Sequence, residues 1–328
     1  METNDKILNN RYKIIGTLGD GAYGDVYKIQ RTNHIGDIFA LKILKDNESI
    51  EKFERETKIL DILKKHPNIL KLKDCEIDND TMYIIMPYIN HGNLKEYIKA
   101  NGTLSEDKAK IFLTQMLDAI EHANNQKEPI FHKDIKPENI LLHKEEENDD
   151  IRYILADWGL ASAKSGSRSV ESSGTLDYKP PEVYRRKRYK NSDIYSLGIV
   201  LHYTLTKNSP YGYVMYRSKL DEASIIFSHL QDEPDIDENL SHNMKTIISK
   251  MLIKEPNDRA NIDQLRELLK DDARESFEMG GIDFSIEKEK EIERLKAHIE
   301  QLQQQNKIVT PIIKQNQPSP KQVQTFNK

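Results

Sequence analysis

From Tyr12 to Tyr88 the apolar residues come in short runs of strand length: YKIIGTLG, DVYKIQ, DIFALKIL and MYIIMPYI. One stretch breaks that rhythm. Between Ser49 and Lys65, Ile50, Phe53, Thr57, Leu60 and Leu63 recur every three or four residues, the period of an amphipathic helix. Beyond Gly92 the period stays helical, as in LSEDKAKIFLTQMLDAIEHANNQ, with Ser105 placed to cap its first turn. The expected architecture is α+β and bilobal: a small antiparallel β-sheet lobe with one helix over 11–88, then a larger, mainly helical lobe over 93–270. The two join where the strand MYIIMPYI runs into HGN, an arrangement that makes a cleft. A polar extension, 1–10, precedes this body.

The pattern changes past residue 270. Residues 271–286 read as a linker, and 287–305 are charged and Gln-rich, with Ile292, Leu295, Ile299 and Leu302 spaced three, four and three apart. That segment reads equally as one amphipathic helix or as a short coiled coil for self-association or partner binding. Residues 306–328, rich in Pro, Gln and Lys, read as disordered. Charge adds little to this picture, because 49 Lys+Arg against 54 Asp+Glu leave a net charge of -5. No overall basic field draws the chain to nucleic acid or to an anionic membrane, and neither is expected as a partner. The single cysteine, Cys75, excludes an internal disulfide and a thiolate metal cage. It reads as a small buried apolar residue in a reducing compartment. METNDKILNN lacks a basic-then-apolar signal pattern, and no apolar run nears the roughly 18 residues that span a bilayer. The expectation is a soluble cytoplasmic protein, with the nucleus left open.

Three segments carry chemistry. LGDGAYGDV sets Gly19, Gly21 and Gly24 between two strand-like runs, and the strand that follows points to a hairpin whose backbone covers phosphates, where a dinucleotide fold would need a helix. An ordinary glycine-rich turn is the alternative for that segment alone. Next, FALKIL holds Lys42 inside an apolar strand, where an ammonium needs anions: nucleotide phosphates, or Glu56 on the facing helix. Then comes FHKDIKPENILL. Phosphoryl transfer to a hydroxyl needs a carboxylate to take the proton, a cation on the moving group and an oxygen ligand for a metal, and Asp134, Lys136 and Asn139 offer them in that order. Pro137 is expected to keep the stretch a loop. Eighteen residues after Asn139, past the strand YILA, Asp157 precedes Trp158 and Gly159 and offers a hard oxygen ligand for magnesium.

This ordered set resembles the eukaryotic protein kinase family, serine/threonine type, over about Arg11 to Leu269. There is also some likeness to calcium/calmodulin-dependent kinases. The resemblance implies transfer of the γ-phosphoryl group of ATP to protein serine or threonine hydroxyls, with ATP and Mg2+ required. It makes Asp134 the catalytic base and Lys136 a phosphate contact, with Asn139 and Asp157 as metal ligands and Lys42 and Glu56 as an ion pair. Leu18, Gly19, Gly21, Gly24, Val26, Ala40, Met86 and Ile89 would line the ATP site, with the backbone from Pro87 to Ile89 as hinge. GTLDYKPPE, with Thr175, would end an activation segment at Glu182. Asp193 would hold the catalytic loop, and Arg259 would pair with Glu182. Lys136 after the base and Gly174-Thr175 before the peptide site are typical of serine/threonine members.

Four departures stand out: Lys133 in place of arginine, Trp158 in place of phenylalanine (as in casein kinase II), Pro180 in place of alanine, and Pro87 at an acidic hinge position. None removes a catalytic group. Ser172 or Ser173 is read as a phosphorylation site ordered by Lys133, with a merely flexible serine-rich loop as the alternative. Glu138 hints at basic residues in substrates, and the basic run from Arg185 to Arg188 reads as a solvated turn or a grip for acidic substrates. Two other functions compete. A pseudokinase scaffold is disfavoured because Lys42, Asp134, Asn139 and Asp157 are all present. A small-molecule kinase is disfavoured by the complete GTLDYKPPE segment.

Overall fold

The computed structural model describes residues 7–8, 11–20, 24–34, 36–44, 50–78, 81–144, 150–161, 175–212 and 222–278. The chain divides into two units, Met1–Lys270 and Asp271–Lys328. The segment 287–305 read as a helix or coiled coil, the tail 306–328, and Ser172 and Ser173 lie outside the described residues, as do Gly21 and Gly174.

The strand-rich half forms one antiparallel sheet in the order β1-β2-β3-β4-β6-β5, from β1 (Ile7–Leu8), β2 (Tyr12–Asp20), β3 (Gly24–Arg31), β4 (Ile38–Leu44), β5 (Asp74–Asp78) and β6 (Thr81–Pro87). Its two faces follow from strand alternation. Leu41 packs with Tyr12, Ile14, Ile29, Tyr83 and Ile85 in a small cluster on one side. Leu44, Met82, Ile84 and Met86 join Phe53 and Leu60 of α1 (Ile50–Leu63) in the main core on the other. Lys42 shares the second parity, which turns its side chain toward α1.

Two expectations fail in this half. Ile50 opens the helical stripe but is 55% exposed, because it sits at the first residue of α1 before the buried face begins. Cys75 is exposed, since it lies on β5, the edge strand of the sheet.

The helical half is built on α2 (Leu94–Asn101), α3 (Glu106–Asn124), α4 (Pro181–Tyr184), α5 (Ser192–Thr206), α6 (Glu222–Gln231), α7 (His242–Met251) and α8 (Ile262–Glu278), with a hairpin of β7 (Ile140–Lys144) and β8 (Ile151–Leu155). Asn93 caps α2 in a reciprocal box with Glu96, and Ser105 caps α3 by accepting from the Lys108 N–H. α5 is buried from Ser192 to Leu205, as expected of a helix apolar on nearly every side at the centre of a bundle. Gly198 is the point where α7 crosses it. A β-carbon there would lie 2.9 Å from Met251 Cβ and 3.0 Å from Leu252 Cδ2. Gly198→Ala is therefore expected to cost about 1–3 kcal/mol through overpacking, despite alanine's better helix propensity. A lower urea midpoint at unchanged slope would be the sign, and an unchanged midpoint would count against this packing.

Candidate active site

Lys42 is held where two halves of the site meet. Its Nζ lies 2.8 Å from Glu56 Oε1 and 3.2 Å from Asp157 Oδ1. Burial pushes the ammonium's pKa down, but Asp157 and Glu56 more than reverse this and leave it raised. Asp157 mirrors the effect. Burial would raise its pKa, yet the charge and hydrogen bond of Lys42, with the charge of Lys136 beyond, bring it below the usual carboxylate range. A third of the Asp157 side chain stays exposed, so this carboxylate is ionised and open on one side. Gly159 makes the arrangement fit, since a β-carbon there would sit 3.1 Å from Glu56 Oε2 and 3.4 Å from Asp157 Oδ1.

The backbone is bent to serve the site. Asp157 and Lys133 both have positive φ, 60° and 73°, a region that non-glycine residues enter only where surroundings compel it. For Lys133 the compulsion is Asp193 at the start of α5, whose Oδ2 accepts the His132 N–H at 2.8 Å and whose Oδ1 accepts the Lys133 N–H at 3.0 Å. His132, not foreseen as a site residue, ties the loop to β8. Its Nε2 is 2.9 Å from the Ala156 carbonyl and its Nδ1 faces the Asp134 N–H at 3.3 Å, a pairing that requires the neutral ring with its proton on Nε2. Trp158 packs edge-on against that ring at 4.6 Å and donates its indole N–H to the Leu155 carbonyl at 3.3 Å. A histidine two residues before the catalytic carboxylate was the available signal.

Around Asp134 the hydrogen bonds can be counted. Oδ2 meets Lys136 Nζ at 2.8 Å and Asn139 Nδ2 at 3.1 Å, and Oδ1 meets the Thr175 N–H at 3.2 Å. Each carboxylate oxygen accepts about two donors. Oδ2 is therefore filled, and Oδ1 keeps one lone pair for a further hydroxyl. Asn139 also donates to the Asp134 carbonyl at 2.8 Å, so its amide nitrogen is committed and its oxygen is the end that suits a hard cation. Pro137 opens a single 3₁₀ turn, Pro137–Asn139, where a loop was expected. Proline fits the first position of such a turn because no N–H is needed there. Lys136 Nζ reaches Thr175 Oγ1 at 3.1 Å, joining the loop to the segment before α4.

That segment is anchored at Glu182. Arg259 grips its carboxylate with two nitrogens, at 2.8 and 2.9 Å, while Ser192 Oγ donates at 2.6 Å. Both partners are 3% exposed, and the Tyr195 ring lies under the guanidinium at 5.0 Å. Glu138 is met by Lys95 Nζ at 2.8 Å, a pairing between α2 and the loop that the sequence reading missed.

On the sheet side, Ala40 pairs with Met86 and Val26 with Lys42, so these side chains share one face above the ion pair. Ile89 is half-buried beside the core. Leu18 sits in an irregular stretch of the β2–β3 register and stays 42% exposed, an apolar surface left for a ligand to cover. Gly19 has open space around it, whereas a β-carbon at Gly24 would run into the Ile43 carbonyl. Gly24 is thus glycine at least as much for strand packing as for approach to phosphate.

Comparison with known proteins follows this geometry. The protein kinase domain family model matches residues 12–269. The chain is similar to the probable serine/threonine-protein kinase MARK-A of Dictyostelium discoideum, with 31% identity over 264 residues, 77% of this chain and 23% of that protein. It is 34% identical to the serine/threonine-protein kinase PrkC of Bacillus subtilis (strain 168) over 265 residues, 76% of this chain and 38% of that one. With the Aurora kinase of Yarrowia lipolytica it shares 34% over 206 residues, 61% of this chain and 53% of that one. The chain thus spans between about a quarter and a half of these relatives' lengths. With the family model matched from the start of β2 into α8, and the side chains of its signatures gathered at one site, this chain belongs to the protein kinase family.

Proposed function

We propose that the chain transfers the γ-phosphoryl group of ATP to serine or threonine hydroxyls of proteins. The observation that carries this reading is the state of Asp134, with Oδ2 filled by Lys136 and Asn139 and Oδ1 one hydrogen bond short. A substrate hydroxyl completes Oδ1. Its oxygen then bonds to the γ-phosphorus as the bond to the β,γ-bridging oxygen breaks, its proton passes to Asp134, and ADP leaves. Lys136, already in contact with Asp134, stands beside the moving group as its cation. Lys42, kept charged by Glu56 and Asp157, serves the other phosphates. Magnesium fits the donor set offered by the Asn139 oxygen and the ionised Asp157, where it would neutralise phosphate charge.

Serine/threonine choice is supported by Thr175, whose hydroxyl meets Lys136 and whose N–H meets Asp134. Both bonds draw that segment close to the base and favour a short acceptor. The similarity to serine/threonine-protein kinases of Dictyostelium discoideum and Bacillus subtilis points the same way. Peptides identical but for Ser, Thr or Tyr at the acceptor test it. Ser and Thr are expected to outrun Tyr by at least about tenfold, a difference of roughly 1.4 kcal/mol in transition-state binding. Equal use of tyrosine would refute the assignment. The reading includes a cytoplasmic setting, a catalytic domain over 11–270, and self-association or partner binding through 287–305. Among the described residues no helix is long and apolar enough to cross a membrane.

A further inference from the structure

Lys95 on α2 and Glu138 in the Pro137–Asn139 turn form an ion pair, with Nζ 2.8 Å from Oε1. It differs from the buried pairs Lys42–Glu56 and Arg259–Glu182, because its two side chains stay 35% and 30% exposed. As a strut it does little. An ion pair this exposed adds little to stability, and α2 is held without it. Asn93 and Glu96 close its first turn, and Leu94 and Ile98 are fully buried. Just ahead of it, the Leu142 N–H donates to the Gly92 carbonyl at 2.9 Å and the His91 N–H to the Leu142 carbonyl at 3.1 Å.

The position of the pair relative to the base gives it another use. Glu138 follows Asp134 by four residues, and the chain between them is pinned where Asn139 donates to the Asp134 carbonyl at 2.8 Å. Four residues span at most about 14 Å, and the 3₁₀ turn shortens that. An extended peptide advances about 3.3 Å per residue, so the Glu138 carboxylate is within reach of a substrate side chain up to roughly four residues from the acceptor. A partly exposed carboxylate in that place suits an arginine or lysine of the substrate. Lys95 already supplies such a cation from within the chain. A substrate cation has to displace it from Oε1, and the exchange of one cation for another leaves little net gain.

We infer that Lys95 is a specificity-determining residue, which occupies Glu138 in place of a substrate cation and so keeps the enzyme from selecting basic residues near the acceptor. The inference rests on the kinase reading, because Asp134 fixes where the acceptor hydroxyl lies. It runs against the expectation, drawn from Glu138 alone, of basic residues in substrates.

The test uses the full chain, a serine peptide with alanine at the four positions on either side of the acceptor, and a set with one arginine at each of those positions in turn. Turnover is read as kcat/KM, and binding is read separately by fluorescence anisotropy. The native protein is expected to use every arginine peptide within about twofold of the alanine peptide. Lys95→Met keeps the apolar stem and should leave the alanine peptide's kcat/KM unchanged. It should raise kcat/KM for arginine at one position about tenfold, the order of one charge-assisted hydrogen bond. Lys95→Glu should raise the same peptide at least as much, and adding Glu138→Gln to Lys95→Met should remove the gain. Loss of folding slows all peptides alike and creates no preference. A native protein that already favours arginine about tenfold would overturn the assignment. So would Lys95→Met and Lys95→Glu variants that keep the native ratio of arginine to alanine peptides, which would leave the pair a strut between α2 and the loop. If the native protein phosphorylates no peptide of the set, the kinase reading fails. Lys95 then keeps its role if an arginine peptide binds Lys95→Met about tenfold more tightly than the native protein, and loses it if the two bind alike.

Discussion

Asp134→Asn is expected to lower kcat for a serine peptide by about 10²–10⁴-fold, the usual contribution of a positioned general base. The amide keeps the shape of the carboxylate, but it cannot take up the hydroxyl proton. It also meets Lys136 Nζ, now 2.8 Å from Oδ2, with a neutral group. ATP affinity should change little, because Lys42 is held by Glu56 and Asp157 and is not bonded to Asp134. Initial rates and nucleotide binding on the same preparation separate the two effects. A fall in kcat of less than tenfold would remove Asp134 from the role of base.

The second large effect is on stability. Arg259→Leu leaves Glu182 ionised, 3% exposed and stripped of both guanidinium bonds, with only Ser192 Oγ still donating. Breaking a buried pair from one side typically costs about 3–5 kcal/mol, because the remaining charge has neither water nor a partner. The loss also strips Arg259's bonds to the Ile253, Lys254 and Asn191 carbonyls, so the turn beyond α7 loosens with it. Urea unfolding should register a loss in that range. Adding Glu182→Leu to Arg259→Leu should restore part of it, since the buried charge is then gone. A double variant as weak as the single one would show that packing, and not the unpaired charge, sets the cost.

What could be read from the sequence was whatever chemistry fixes by residue type and short spacing. Asp134, Lys136 and Asn139 fall within six residues, so their joint role was legible before any fold was known. Lys42 was legible because an ammonium in an apolar strand demands an anion. The sheet-then-helix order followed from the change of period, and α1 from its stripe.

The rest depended on distance along the chain or on position within an element. The Lys95–Glu138 pair spans 43 residues, and no local pattern marks it. Ile50 and Cys75 were misjudged because periodicity assigns a face but not whether that face is covered at a helix's first residue or a sheet's edge. Arg188 looked like its three exposed neighbours, and only the turn after Glu182 sets it apart as half-buried. The tautomer of His132 and the open lone pair on Asp134 are matters of hydrogen-bond count, which a sequence does not contain.

A single-turnover experiment with ATP labelled at the γ-phosphorus, protein in excess and a serine peptide present bears most directly on the account. It predicts that the label appears as phosphoserine in step with ADP, and that Lys42→Met and Asp134→Asn slow the transfer by about a hundredfold or more. Label released only as inorganic phosphate, or ATP left whole by the native protein, would contradict it.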